Sequence, residues 1–238
     1  MSRTSVSICT PTYNRRQFIP YLIKCIESQN YPKKYIEWII LDDGTDKIGD
    51  LVKDIPYVIY IAKDEKLTIG QKRNILNKTA KNEVIIYFDD DDFHHPDRIK
   101  HSVTKLMGQK KTLVVGSSMM YMYFTKNHKL FTMGPYGPNH TTAGVMAFHR
   151  DYLKKAEFDD EKTFGEEKAF LDNYKQSVIQ LNPMKTIVVF CHDNNTFDKN
   201  QFLEIENFTA LKPSGIKLKK IIKDKKILNF FKNYKNKD

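Results

Sequence analysis

The sequence predicts an α/β protein with a mostly parallel central sheet flanked by helices, and three observations carry that expectation. Apolar runs of strand length alternate with longer stretches of helical period through the first half of the 238 residues, the pattern of successive βαβ units. The run Val84-Ile85-Ile86-Tyr87-Phe88 carries no charge, as expected of a strand covered on both faces. Polar clusters follow three of the apolar runs, where the loops at the carboxyl ends of parallel strands gather ligands.

Taken in order, residues 6–9 read as the first strand. Residues 16–29 carry Phe18, Ile19, Leu22, Ile23 and Ile26 at helical spacing until Tyr31-Pro32 stops them. Strands follow at 36–41 and 57–62, a helix at 70–80 and a strand at 83–88. Pro96 opens a helix that runs to about Met107, since proline is favoured in a first helical turn. After Leu113 the strands become short and mixed, with a Gly/Pro-rich loop at 134–138, a helix near 166–174 and a last strand at 186–191. Trp38 reads as core.

With 39 Lys+Arg against 29 Asp+Glu the formal charge is +10, a balance that invites nucleic acid, phosphorylated small molecules or an anionic membrane. Residues 212–238 carry +8 of it, in ten lysines and two aspartates, so the body is nearly neutral. Cys9, Cys25 and Cys191 are too few and too scattered for a disulfide framework or a zinc site. No apolar run approaches the roughly 18 residues of a membrane span, and the amino terminus lacks a signal-peptide pattern. The expectation is a cytoplasmic protein, with peripheral membrane contact left open.

The three polar clusters are Thr10-Pro11-Thr12-Tyr13-Asn14, Asp42-Asp43-Gly44 and Asp89-Asp90-Asp91-Asp92. Four adjacent aspartates at the end of a buried strand repel one another unless a cation resolves the conflict. Oxygen-only ligands suit Mg²⁺ or Mn²⁺, which complete their shells with nucleotide phosphates. The competing reading is a solvated acidic turn at the amino end of the following helix.

The segment Val6-Ser7-Ile8-Cys9-Thr10-Pro11-Thr12-Tyr13-Asn14, the turn Leu41-Asp42-Asp43-Gly44-Thr45, Lys72-Arg73-Asn74, and Tyr87-Phe88-Asp89-Asp90-Asp91-Asp92 followed by Pro96-Asp97-Arg98 resemble family 2 glycosyltransferases of the GT-A fold, in order and in spacing. The similarity covers about residues 4–200 and is strongest as far as Arg98. It implies a GT-A domain over 1–211, with a nucleotide-binding half to about 110 and an acceptor-binding half from 111, followed by a Lys-rich extension over 212–238.

The resemblance also implies roles. Pro11 offers backbone and Tyr13 a ring to the uracil of a UDP-sugar, and Asp43, preferred to Asp42, accepts from the uracil edge. Arg73 bridges the acidic loop and the nucleotide. Counting back from Pro96 puts the metal motif on Asp89, Asp90 and Asp91. Asp91 is then the foremost ligand of Mn²⁺ or Mg²⁺, Asp89 a second, and Asp89 and Asp90 lie near ribose and sugar, with Asp92 leaving the register open. The segment Phe164-Gly165-Glu166-Glu167 is similar to the Gly-Glu-Asp segment of relatives, which makes Glu167 the general base and Glu166 its neighbour. His192, in Cys191-His192-Asp193-Asn194-Asn195-Thr196, would complete the metal shell or touch the diphosphate. His94 and His95 would flank the acceptor or pack on the acidic loop. Residues 141–148 would line the sugar and acceptor pocket or form a core strand.

The implied activity is inverting, metal-dependent transfer of a sugar to a hydroxyl of a glycan, glycolipid or glycoprotein. A nucleotidyltransferase would need a glycine-rich phosphate loop after the first strand, and Thr10-Pro11-Thr12-Tyr13 is not one. No nucleic-acid partner is expected, because the lysines are not organised as a binding module. A silent relative that only binds nucleotide sugar stays open. In the extension, one continuous helix over 216–234 would align Leu218, Ile221, Ile222 and Leu228, and put Ile227, Phe230 and Phe231 opposite. Such a helix would lie on an anionic membrane, dock on a partner, or remain solvated.

Overall fold

The computed structural model describes residues 4–109 and 111–235. Four parallel strands, β1 (Val6–Thr12), β2 (Ile36–Asp42), β3 (Val58–Ala62) and β4 (Val84–Tyr87), lie in the order β4-β1-β2-β3. Strand alternation sends successive side chains to opposite faces. On one face Val6, Ile8, Trp38, Ile40 and Ile86 pack against Ile19, Leu22 and Ile26 of α1 (Ile19–Glu27) and Ile99, Val103 and Leu106 of α4 (Arg98–Met107). On the other, Cys9, Ile39, Leu41, Ile85 and Tyr87 meet Leu76 of α3 (Ile69–Thr79) and the rings of Phe148, Tyr152, Phe158 and Phe170. Between β2 and β3 lies the short helix α2 (Gly49–Val52).

The sheet continues past β4 through β9 (Ala147–His149), antiparallel to β4 and to β6 (Val114–Gly116), and ends at β10 (Ile179–Gln180). A second sheet, not foreseen in the sequence, has the order β12-β8-β7-β11-β5. Its strands are β5 (Phe93–His94), β7 (Met120–Phe124), β8 (Lys129–Met133), β11 (Ile187–Cys191) and β12 (Leu211–Pro213). The acidic run leaves β4 of the first sheet and enters β5 of the second, so it is stretched between the two. Strand β5 pairs Phe93 with Val188 of β11, which brings the residues after β11 beside the aspartates.

Several elements differ from their expected bounds. Strand β1 runs three residues beyond its apolar part, because Thr10, Pro11 and Thr12 pair with Ile40, Leu41 and Asp42. Helix α1 begins at Ile19, with Pro20 in its first turn. Helix α4 begins at Arg98, because β5 takes up the residues before Pro96. The helix expected over 166–174 is only α5 (Glu167–Phe170), since Asp172, Asn173 and Tyr174 all have positive φ, at 48°, 52° and 61°.

The extension is part of the core. A short turn at Leu218–Lys220 and α6 (Lys225–Asn233) replace the single helix, and the break between them changes the phase of the apolar stripe. Leu218, Ile221, Ile222, Ile227 and Phe231, placed on two sides of one continuous helix, therefore all face the body and pack with Phe18, Phe93, Tyr123 and Phe190. The Asp224 carboxylate accepts the Lys226 and Ile227 amides at 2.8 and 3.0 Å and pairs with Lys24 at 3.0 Å. The apolar face that a membrane or partner would use is thus covered, and the exposed residues of this segment are its lysines with Pro213, Gly215, Asn229 and Asn233. Phe231→Ala is expected to cost about 3 kcal/mol of folding stability, and Lys232→Ala nothing measurable, in thermal or urea denaturation. A solvated tail would leave both substitutions neutral.

Cys9, Cys25 and Cys191 are buried free thiols. Among the described residues no helix is long and apolar enough to cross a membrane.

Candidate active site

Register places the first two loops side by side, since Thr12 pairs with Asp42 and the next residues of both strands leave the sheet together. Asp42 is fully buried and spends its carboxylate on the turn. It accepts from the Gly44 amide at 2.9 Å, the Ile48 amide at 2.9 Å and the Tyr60 hydroxyl at 2.6 Å. Gly44 admits no side chain, because a Cβ there would lie 2.5 Å from the Asn14 nitrogen. Asp43 accepts the Leu67 amide at 2.7 Å and forms an ion pair with Lys72, whose ammonium also donates to the Thr12 carbonyl at 3.3 Å. Tyr13 is half-buried, with Lys66 Nζ 4.6 Å and Lys72 Nζ 5.5 Å from its ring centroid.

The acidic run hangs from a buried scaffold. Arg98 lies under it, stacked on Phe88 at 4.4 Å and donating to the Tyr87 and Gly144 carbonyls at 2.5 Å each. Burial pulls this guanidinium down to about 9. It also bonds to His94, whose Nε2 holds the Asp89 carbonyl at 2.8 Å, so His94 packs on the acidic loop and lines neither of the two cavities that open beside it. Gly144 lets the Asp89 carboxylate sit close to the backbone, because a Cβ would meet Asp89 Oδ2 at 2.5 Å and displace it.

The four carboxylates part company. Asp89 Oδ1 lies 3.4 Å from Arg73. Asp90 is buried, 3.9 Å from Arg15, and burial together with the Asp91 charge pushes it up to about 8. Asp91 accepts from His192 Nε2 at 3.2 Å and Asn195 Nδ2 at 3.1 Å, with Arg15 3.7 Å away. Burial opposes its ionisation, but the His192 hydrogen bond and the positive Lys199 and Arg15 outweigh it and hold Asp91 below the usual carboxylate range. Asp92 accepts the Phe190 amide at 2.9 Å and is tied to β11, its carboxyl raised by burial and by Asp91.

His192 stands directly behind the acidic run. Its Nδ1 accepts the Asn194 amide at 3.1 Å, and its Nε2 lies 3.2 Å from Asp91 Oδ2 and 3.0 Å from Asn195 Nδ2. The ring is buried and stacked on Phe18 at 4.6 Å.

Arg73 bridges the acidic loop to the loop before α5. Its Nε donates to Glu166 at 2.6 Å, and its guanidinium lies over the Tyr87 ring at 4.5 Å. Glu166 is therefore engaged by Arg73, whereas the contact of Glu167 is a 3.5 Å hydrogen bond from the Tyr174 hydroxyl. Burial and the neighbouring Glu166 push Glu167 up to about 7.

Two cavities open at these loops. One of about 600 Å³ is lined by Pro11, Tyr13, Arg15, Lys72 and Asp90, and one of about 420 Å³ by Met120, Met122, Tyr136, His140 and Glu167. Arg73, Asp89, Asp91, Phe164, Gly165, Glu166, Phe197 and Lys199 line both and form their common wall. Of the residues singled out in the sequence, Asp43 and His192 line neither cavity and stand behind Lys72 and Asp91. Arg15, Lys199, Phe164 and Phe197 also line the site and were given no role. Arg15 adjoins the quoted Asn14 and Phe164 opens the quoted Phe164-Gly165-Glu166-Glu167, so both were within reach of those motifs, while Phe197 and Lys199 lie in a segment without periodicity.

Among the described residues no group of three or more His, Cys, Asp or Glu is arranged to hold a metal ion. Asp89 and Asp91 do share a cavity wall. Two carboxylates with phosphate and water oxygens suffice for Mg²⁺ or Mn²⁺, so the donor set fits.

This sheet, with carboxylates at its strand ends, superposes on solved glycosyltransferases and has the GT-A fold. Residues 7–163 match glycosyl transferase family 2, and the chain belongs to that family of glycosyltransferases. Poly(ribitol-phosphate) beta-N-acetylglucosaminyltransferase TarS of Staphylococcus aureus is 27% identical over 99 residues, 40% of this chain and 17% of TarS. The crystal structure of TarS 1-349 with UDP superposes with a TM-score of 0.59 at 20% identity, covering 74% of this chain and 58% of that one. The mannosyltransferase PcManGT of Pyrobaculum calidifontis, solved with GDP-Man and Mn²⁺, gives 0.64 at 15% identity and covers 82% and 59%. Each of these matches takes in less than two thirds of the relative's own length.

Proposed function

We propose that the chain is a metal-dependent, inverting glycosyltransferase that moves a sugar from a UDP-sugar to a hydroxyl on a glycan, glycolipid or glycoprotein. The observation that carries this reading is the common wall. Asp89 and Asp91 border both cavities, and Glu167 borders only the smaller one. A donor in the larger cavity and an acceptor in the smaller one would meet at that wall, with the base on the side away from the leaving group.

In this reading Pro11 and Tyr13 receive the base, and Lys72, held by Asp43, lends positive charge beside it. Asp90 and Arg73 lie toward ribose and sugar. Bound Mn²⁺ or Mg²⁺ would be held by Asp91 and Asp89 and would neutralise the departing diphosphate. The Glu167 carboxylate takes the proton of the acceptor hydroxyl as that oxygen bonds to the anomeric carbon. The bond from that carbon to the phosphate oxygen breaks, and its electron pair leaves with UDP. Arg73 keeps Glu166 occupied, so that Glu167 alone is disposed to act as base. Uridine is favoured by the UDP and UDP-GlcNAc complexes of TarS, and guanosine is the alternative that PcManGT offers.

The test is a panel of UDP- and GDP-sugars with and without Mn²⁺, following nucleotide release by the full chain. Slow hydrolysis of one donor that a chelator abolishes is the expected result. Nucleotide binding with no hydrolysis of any donor, even with candidate acceptors present, would mean a silent relative. No nucleotide binding would overturn the assignment of the larger cavity.

A further inference from the structure

The smaller cavity has a feature that proton abstraction at Glu167 does not require. Among the described residues the exposed large aromatic rings are Tyr136 (49% exposed), Phe164 (66%) and Phe197 (37%), and all three line this cavity, Phe164 and Phe197 on the wall it shares with the larger one. They come from three separate loops. Phe164 and Phe197 lie beside each other with ring centroids 6.0 Å apart, and Gly165, at φ +63°, turns the chain between Phe164 and the two glutamates. Tyr136 stacks on His140 at 4.6 Å, His140 on Tyr174 at 4.8 Å, and the Tyr174 hydroxyl reaches Glu167. Leaving three large rings in water at one opening sacrifices the burial that holds other rings in the core. The buried Nδ1 of His140 has no hydrogen-bond partner.

We propose that Phe164, Phe197 and Tyr136 form an aromatic clamp for a pyranose ring of a carbohydrate acceptor, a reading that rests on the glycosyltransferase assignment above. A pyranose has an apolar C–H face, which an aromatic ring covers, and a rim of hydroxyls, which needs hydrogen-bonding partners. The cavity offers both, with aromatic walls at the mouth and His140 and Glu167 further in. A purely aliphatic acceptor would leave the imidazole nitrogen unpaired. A phosphate-linked polyol chain would look for several cations, and those lining this cavity are Arg73, already bound to Glu166 and Asp89, and Lys199.

An oligosaccharide array probed with the full chain, UDP and Mn²⁺ tests the clamp, with ribitol 5-phosphate and a serine/threonine peptide as the other arms. Binding to a subset of pyranose glycans is expected. It should fall about tenfold in Phe164→Ala and in Tyr136→Ala, the scale of one aromatic contact, and persist in Phe164→Trp. Calorimetric UDP affinity should stay unchanged in Tyr136→Ala, since Tyr136 lies outside the nucleotide cavity. Glycan binding that survives both alanine substitutions overturns the clamp, as does binding of only the polyol phosphate or the peptide. So does the absence of any glycan binding while UDP still binds, a result that leaves the glycosyltransferase reading standing. Loss of UDP binding by the wild type would remove that reading and the clamp together.

Discussion

Asp91→Asn should lower sugar transfer by about a thousandfold while leaving the fold intact. Asparagine keeps the shape of the side chain and its contact with His192, but removes a charge that its surroundings hold ionised. The His192 hydrogen bond at 3.2 Å, the Asn195 amide at 3.1 Å and Arg15 at 3.7 Å all favour the carboxylate. Stabilisation of a leaving group by a bound divalent ion is worth several kcal/mol, and each tenfold in rate is about 1.4 kcal/mol. Initial rates at saturating donor measure the loss, and calorimetry measures whether Mn²⁺ still tightens UDP binding. Asp92→Asn is the control, because Asp92 is bound to the Phe190 amide. Its effect should fall on stability. An Asp91 variant within tenfold of the wild type would show that the carboxylate does not serve the reaction.

The run of four aspartates was legible because composition alone makes it anomalous. Its internal division of labour was not, since it depends on which backbone each side chain meets. Asp92 is tied down by β11, whose Phe190 lies 98 residues further along the chain. The first four strands were equally plain, because both faces of a covered sheet demand apolar side chains. Short strands such as β5, two residues long, leave no periodic trace and exist only through a distant partner. The same limit applies to the C-terminal segment. Its apolar residues were visible, but their phase depended on a helix break at Asp224, and the assumed continuous helix split one buried face into two. At the site, Asp43 and His192 were picked out by position, but the neighbours they meet were not legible. Asp43 pairs with Lys72, and His192 faces Asp91.

Glu167→Gln should reduce transfer by about 10²–10⁴-fold, the usual contribution of a positioned base, and should change the pH profile in a way that a merely structural residue would not. Burial and the adjacent Glu166 raise this carboxyl from its ordinary value of 4.5 to about 7. The wild-type rate should therefore climb about tenfold per pH unit below 7 and level off above 8, as the carboxylate form becomes complete. In the glutamine variant that acid limb should vanish from the residual rate. Stability should move in the opposite sense. At pH 4 the side chain is protonated in both folded and unfolded chains and contributes no difference. As pH rises toward 7 the unfolded chain ionises first, so the folded state loses stability, and the loss is complete above 7. A shift of this size corresponds to a penalty on the order of 3 kcal/mol, which glutamine does not incur. The variant should thus melt higher than the wild type at pH 8 and nearly alike at pH 4. A residue kept for catalysis at the expense of stability shows both effects together. A glutamine variant that retains the acid limb, or is destabilised at pH 8, would remove Glu167 from the role of base and return attention to Glu166.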